Sequence, residues 1–151
     1  MFNWSQFEQV NPALAAFGRE RLSSRVAYLA TVRADGSPRV HPVTPIIGGG
    51  RLYLYMEPTS PKGHDLRRDS RYALHCSVEN WEGGGGEFVI HGRAVLITDA
   101  QTRAEYDTYA TYEPKARYIL FELLLERVLS TTYPNGTPIR QRWSHFDPPR
   151  A

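Results

Sequence analysis

The chain has 151 residues, 41% of them apolar and 23% charged, with a formal net charge of +2 and a single cysteine. This balance fits one soluble domain with its own core, and it excludes a broad basic nucleic-acid surface, an intramolecular disulfide and, with no apolar run near the ~20 residues a bilayer requires, a membrane-spanning helix. Met1–Gln6 has no basic segment followed by an apolar one, so no secretory signal is expected and a cytoplasmic setting is the simplest expectation.

Asn11-Pro12 joins a good N-cap to a residue suited to the first helical position. Leu14, Phe17, Arg21 and Leu22 then recur at helical spacing, predicting a helix over 11–23. Val26–Val32 is short, apolar and rich in β-formers. Asp35-Gly36 is a hairpin turn, because Gly tolerates the positive φ such turns need. Val40–Ile47 is the return strand. Its Pro42 and Pro45 predict an edge or a bulge, where backbone groups face a ligand instead of a neighbouring strand. Gly48-Gly49-Gly50 turns the chain into a third strand, Arg51–Met56.

Ser60-Pro61-Lys62-Gly63 opens the next helix. Ser60 suits the N-cap and Pro61 the first helical position, where its missing N–H costs nothing. Lys62 then stands in the first turn, where the positive end of the helix dipole repels it. A lysine placed against that gradient makes sense if an anion such as phosphate binds the free N–H groups; the plain alternative is a solvated surface charge. Arg67, Arg68 and Arg71 either extend an anion site or pair with Asp65 and Asp69 on a solvated face, at about 0.3–0.5 kcal/mol per pair. The helix ends near Asp69-Ser70.

Tyr72–Val78 reads as a strand, Gly83–Gly86 as a flexible connector, and Glu87–Ile97 as a long strand interrupted at Gly92. Thr98-Asp99-Ala100-Gln101 matches a capping box that opens a helix towards Tyr109. Tyr106, Tyr109 and Tyr112 read as core or dimer contacts. Tyr118–Leu124 and Arg127–Tyr133 are two further strands, with Leu123–Glu126 between them open to a helical reading. Pro134-Asn135-Gly136 turns into a last strand, Ile139–Trp143, and 146–151 forms a tail. Strands joined by tight turns predict a single mainly-β domain: an antiparallel sheet over 26–143, closed into a barrel with peripheral helices. The βαβ rhythm and the Gly-x-Gly-x-x-Gly fingerprint of a dinucleotide fold are missing.

Motifs for other chemistries are also missing. His75 and Cys76 alternate in a strand and so point to opposite faces. No His-Glu-x-x-His or Cys-x-x-Cys is present, so no metal site is expected. Cys76 reads as a small buried hydrophobe, and no serine sits in a Gly-x-Ser-x-Gly elbow.

Four segments, in order, resemble the pyridoxamine 5′-phosphate oxidase-like superfamily of flavin-binding split barrels. They are the hairpin Tyr28–Pro38, the strand Arg39–Thr44, the Leu52–Met56 strand with its Ser60-x-Lys62 turn and Asp69-x-Arg71 run, and Phe88–Ala94. The resemblance spans about Val26 to Ile97. It implies a six-stranded split barrel that forms a homodimer with two FMN sites at the interface. His41, Pro42, Val43 and Thr44 would contact the flavin ring. Tyr55, Met56, Ser60 and Lys62 would follow from the third strand, with Ser60 and Lys62 on the phosphate. Glu87 stands where some relatives place a glutamine that reaches the partner's flavin, and Trp143 would lie near the cofactor from the last strand.

Two departures separate the chain from the vitamin B6 oxidases themselves. Pro61 replaces an arginine of the phosphate turn, and Arg140-Gln141-Arg142-Trp143 does not reproduce their C-terminal arginine–histidine signature. The resemblance therefore implies an FMN-dependent oxidoreductase with another small substrate and no assigned catalytic residue. F420 is the runner-up cofactor, its anionic tail facing Arg67, Arg68 and Arg71. A non-catalytic flavin- or haem-binding protein, with His41 as a possible haem ligand, and a small structural dimer are the other readings.

Overall fold

The computed structural model describes residues 1–148. Residues 149–151, the last part of the expected tail, lie outside them. The chain opens with a helix that the sequence reading had not placed, α1 (Trp4–Val10). Asn3 and Gln6 form a reciprocal capping box there, with bonds of 2.8 and 2.9 Å, and Trp4 and Phe7 are fully buried. The Asn-x-x-Gln spacing is the signal that marks it. Asn11 ends α1 and caps α2 (Pro12–Leu22), as its side chain accepts from the Leu14 N–H.

Eight strands follow: β1 (Ala27–Val32), β2 (Pro38–Val43), β3 (Ile46–Gly48), β4 (Arg51–Met56), β5 (Arg71–Cys76), β6 (Glu87–Ile97), β7 (Ile119–Thr132) and β8 (Ile139–Ser144). Helices α3 (Pro61–Arg68) and α4 (Ala100–Asp107) interrupt them. All pairings are antiparallel, in the order β2-β1-β5-β6-β7-β4-β3, with β8 also on β7. The architecture is the expected mainly-β split-barrel type with peripheral helices. The expected closure is not made: no ladder among the described residues joins β2 to β3 or β4, so the sheet stays open along that seam.

Three strand boundaries differ from expectation. The Val40–Ile47 strand breaks at Thr44-Pro45. Its first part is the edge strand β2, and its second becomes β3, paired with β4. Proline removes the ladder donor, so pairing with β1 ends there. The two strands expected after Tyr118 are one continuous β7, and Leu123–Glu126 is extended. Leu123 and Leu125 face the core while β6 pairs along the whole length. A bulge between His91 and Gly92 absorbs the register shift there. A Cβ on Gly92 would lie 1.8 Å from the Leu124 carbonyl oxygen, so only glycine lets the two backbones approach.

The main core joins the inner sheet face (Leu29, Leu54, Leu74, Ile90, Phe121, Leu123) to Trp4, Phe7, Leu14 and Leu22 of the first two helices. A smaller cluster, Ile46, Tyr53, Tyr55, Tyr106 and Leu120, lies on the opposite face with α4. Tyr109 and Tyr112 fall beyond α4 and are exposed, so of the tyrosine series only Tyr106 is core. The Gly83–Gly86 stretch is a folded loop. Asn80 Oδ1 accepts from the Glu82 and Gly84 N–H groups, and Gly85 packs on the buried Arg21 guanidinium. Arg21 in turn donates to the Ser77 carbonyl at 2.8 Å and to Glu79 at 3.2 Å, tying α2 to that loop.

Gly92→Ala should lower unfolding stability by about 3 kcal/mol, the upper range for overpacking. Urea denaturation measures it, and an unchanged midpoint would mean that the β6–β7 approach is looser than described.

Candidate functional site

The period-two alternation of β2 decides which expected residues share a face. Arg39, His41 and Val43 are half-buried, while Pro38, Val40 and Pro42 are exposed. His41 stands opposite Leu29 of the core face, and Arg39 opposite Thr31. Pro42 stands opposite the exposed Tyr28 on the outer face, and Thr44 lies past the strand end, exposed. Of the expected ring contacts on this strand, His41 and Val43 therefore point one way and Pro42 the other.

The same rule separates Tyr55 from Met56. Met56 belongs to the main core and sits beneath α3, its sulfur 3.1 Å from where a Cβ on Gly63 would be. Tyr55 turns to the other face, where its hydroxyl donates to the Asp107 carboxylate and the Arg103 guanidinium lies 5.5 Å above its ring. Burial first, and then that hydrogen bond, push the Tyr55 phenol well above the ordinary range.

Ser60 and Lys62 stand where the sequence placed them, at the start of α3. Ser60 is the N-cap residue, yet its side chain caps nothing; its Oγ instead accepts from Lys62 Nζ at 2.9 Å. Pro61 has no N–H, and the first helical bond runs from the His64 N–H to the Ser60 carbonyl at 3.1 Å. The N–H groups of Lys62 and Gly63 thus keep no protein partner among the described residues. Lys62 is half-buried and has no carboxylate partner among them. Burial holds its ammonium below the ordinary lysine range. His41 is held below its usual range by burial, then by the Lys62 and Arg39 charges, so its neutral form is favoured.

Asp65 organises this end of the molecule, and the sequence reading had placed it on a solvated face. It is 3% exposed. Its carboxylate accepts from Thr31 Oγ1 at 2.8 Å, Arg39 Nε at 2.7 Å and Arg68 Nη2 at 3.2 Å. Burial raises its pKa, but the donors from Arg39, Thr31 and Arg68 outweigh it, and the carboxyl is held below 3.8. Arg39 is the functional residue the sequence reading missed; its signal is the alternation Arg39-x-His41 on a strand already assigned to the site. Arg71 pairs with Asp69 on the surface, and Arg67 reaches only the Pro58 carbonyl at 3.5 Å.

Glu87 and Trp143 do not join this cluster within one chain. Met56 pairs with Ile119 of β7, Trp143 with Val128 and Glu87 with Thr131. At about 3.3 Å per strand residue, roughly 30–40 Å of β7 separates them from Met56. Glu87 accepts from the Tyr133 hydroxyl at 2.6 Å, and Trp143 packs on Phe2 and Phe7 at 5.2 and 5.0 Å between ring centroids.

Asp65→Asn should cost about 3 kcal/mol, as expected when a buried carboxylate is removed from its cations. The sign with pH follows from the lowered carboxyl. Its contribution is complete above pH 3.8 and is lost as pH falls through the lower folded value. Wild type should therefore lose stability on acidification below pH 3.8 more steeply than Asp65→Asn. Parallel pH–stability curves would show that the cluster carries no such linkage.

Comparison with known proteins bears on the fold and the family. No curated protein sequence matches the chain. Many solved structures share its fold, among them the following. A heme binding protein from Mycobacterium smegmatis superposes with a TM-score of 0.68 at 18% identity, covering 88% of this chain and 58% of that one. The heme storage protein HutZ from Vibrio cholerae gives 0.54 at 16% identity, over 78% of this chain and 90% of that one. An F420 reductase gives 0.56 at 16% identity, over 73% and 94%. Residues 11–132, which run from the cap of α2 to the end of β7, match the sequence profile of the pyridoxamine 5′-phosphate oxidases. With most of its length inside that match, the chain belongs to the pyridoxamine 5′-phosphate oxidase-like family.

Proposed function

We propose that the start of α3 holds the phosphate of a flavin-type cofactor, with FMN the first choice, and that the protein is an oxidoreductase acting on a small substrate. The observation that carries this reading is Lys62: a half-buried cation with no carboxylate partner among the described residues, at a helix start whose cap side chain leaves the N–H groups open. A phosphate fits that set, because it supplies the missing charge and accepts from the open N–H groups, Lys62 Nζ and the Ser60 hydroxyl. When bound, such a cofactor supplies the hydride or electron chemistry. The chain's residues orient it: Ser60 and Lys62 at the phosphate, and His41 and Val43 along the core-facing side of β2. The neutral His41 ring offers both a donor and an acceptor there.

F420 remains the runner-up, supported by the likeness to an F420 reductase. A haem-binding reading is supported by the likeness to two heme proteins and by His75. That ring's Nδ1 lies 2.6 Å from the Cys76 carbonyl, an arrangement that leaves Nε2 for a metal.

The reading includes a homodimer. Tyr28, Val40 and Pro42 adjoin one another on the outer sheet face, with Tyr28 46% and Val40 63% exposed. Such a contiguous apolar patch calls for a cover, and a second copy would bring the distant Glu87 and Trp143 to the first copy's cofactor. Val40→Asp should then give a monomer by analytical ultracentrifugation; an unchanged association state would move the interface elsewhere.

The absorbance of the purified protein, with mass spectrometry of the released ligand, separates flavin, deazaflavin and haem. A protein that binds none of the three on titration refutes this reading. Lys62→Ala should weaken binding of a phosphorylated cofactor by about 1.5–3 kcal/mol, the range for a charge-assisted hydrogen bond. The substitution removes a cation that burial disfavours, so stability of the free protein should not fall. Equal affinity in the variant would take Lys62 out of the site.

A further inference from the structure

We propose that the hollow between the β3–β4 turn and α4 binds an organic ammonium group. It encloses about 320 Å³, which is within the range of small-molecule sites. Gly48, Gly49 and Arg51 form one wall, and Thr102, Glu105, Tyr106 and Tyr109 form the other. The second set recurs at i, i+3, i+4 and i+7, on one face of α4 and of the turn that ends it. Arg51 opens β4, so about 17 Å of strand separates the hollow from Met56, beside the start of α3. The inference does not rest on the cofactor reading above.

Charge gives the sign of the ligand. The last turn of a helix is the negative end of its dipole, where cations are favoured and carboxylates are not. The last turn of α4 carries no basic residue, and Glu105 and Asp107 stand there instead. Asp107 is answered: it accepts from the Tyr55 hydroxyl, and Arg103 lies 3.8 Å away. Glu105 is exposed, and its carboxylate has no hydrogen bond and no cation partner among the described residues. The Thr108 hydroxyl and N–H donate to the Glu105 backbone carbonyl and leave that carboxylate free.

Arg51 does not cancel this field, because its own charge is already matched. Its Nη1 donates at 3.2 Å to Glu122, a buried carboxylate whose other oxygen accepts from the Tyr106 hydroxyl at 2.6 Å. Arg51, Glu122 and Glu105 together leave one negative charge at the hollow.

The two tyrosines select an organic cation over a metal ion. Tyr109 is 54% exposed yet held in place. A Cβ on Gly48 would lie 2.6 Å from the Tyr109 Cβ, and one on Gly49 2.7 Å from its ring, so the bare turn is what lets the ring lie against it. Tyr106 is fixed by its bond to Glu122 and packs on Tyr53, with ring centroids 5.0 Å apart. Two immobilised rings beside a free carboxylate suit an ammonium with an apolar coat, and little side-chain entropy is lost when it arrives. A hard metal ion needs several charged or polar ligands. Among the described residues no group of three or more His, Cys, Asp or Glu side chains gathers to supply them.

The test is titration with tetramethylammonium chloride and, separately, with methylammonium chloride, each against sodium chloride at equal ionic strength. NMR follows the Tyr109 ring resonances, which Tyr109→Leu assigns, and the methyl resonances of the salt. A saturable shift with an ammonium salt, and none with sodium, is expected. Glu105→Gln should weaken binding about tenfold, the low end for a charged partner; that carboxylate has no protein partner to lose, so the variant should fold as wild type. Tyr109→Leu, read on the methyl resonances, should weaken it about threefold, as for a cation–π contact at an open site. Lys62→Ala should leave the response in place. Saturation by tetramethylammonium alone identifies a quaternary ligand, and saturation by methylammonium alone one that donates N–H groups to Glu105. The proposal is overturned if neither salt saturates, if sodium gives the same shift, if Glu105→Gln binds with wild-type affinity, or if Lys62→Ala abolishes the response.

Discussion

The buried Asp65 carboxylate is the constraint on which this end of the molecule depends. The sheet leaves a seam between β2 and β4 that no hydrogen-bond ladder closes. Helix α3 bridges it. Asp65 holds the β1–β2 side through Thr31 and Arg39, while Gly63 packs on the β4–β7 side, against Met56 and Ile119, and Leu66 joins the main core. Removing a carboxylate from water costs several kcal/mol, and it is repaid only when its lone pairs are filled. Here three donors fill them, and each comes from a different element, so the carboxylate is stable only when β1, β2 and α3 are all in place. That coupling fixes Ser60 and Lys62 in relation to His41.

The cluster is unbalanced by design of its parts. Asp65 answers Arg39 and Arg68, but no carboxylate among the described residues answers Lys62. A half-buried ammonium at the positive end of a helix is opposed by desolvation and by the dipole together. Ser60 spends its hydroxyl on that ammonium and not on the helix N–H groups. Both leave unmet what the proposed anion would supply: a countercharge for Lys62 and an acceptor for the helix N–H groups. The missing charge and the open donors thus describe the same ligand group from two directions.

How much of this was legible in the sequence follows from what each element depends on. Local signals sufficed for the Asn11-Pro12 helix, the Ser60-Pro61 helix start and the Asp35-Gly36 turn, because each rests on backbone geometry within a few residues; the helix after Thr98 was marked too, but Asp99, accepting from the Thr102 N–H, caps it and not the expected Thr98–Gln101 box. The Asn3–Gln6 box is equally local. Closure, by contrast, depends on whether distant edges pair, and Pro45 marked an irregular strand without showing that its second part would pair with β4. The continuity of β7 depends on Gly92, thirty-odd residues earlier, tolerating a carbonyl against its backbone. For the site, Ser60 and Lys62 were legible from helix electrostatics. Arg39 and Asp65 were not, because their role is a meeting of three elements. The list of contacts carried over from the resemblance also ran through Pro42 and Tyr55 without regard to the strand alternation that turns them to the other face.

That alternation, together with the length of β7, bears on why a single copy leaves the proposed site unfinished. In the proposed site the core-facing residues near Lys62 would cover the phosphate and one flank of a ring. Glu87 and Trp143 sit at the far end of the same sheet, beyond any side chain's reach. A rigid fourteen-residue strand cannot fold its ends together. A two-fold axis crossing the strands can, because it lays the far end of one copy over the near end of the other. The exposed Tyr28–Val40–Pro42 patch lies on the β1–β2 hairpin, on the outer face that such an axis would bury. In the proposed dimer that contact covers the apolar outer face, and because β2 is an edge strand the partner would reach past it to the core-facing side where the cofactor is proposed, so association and cofactor binding would each favour the other.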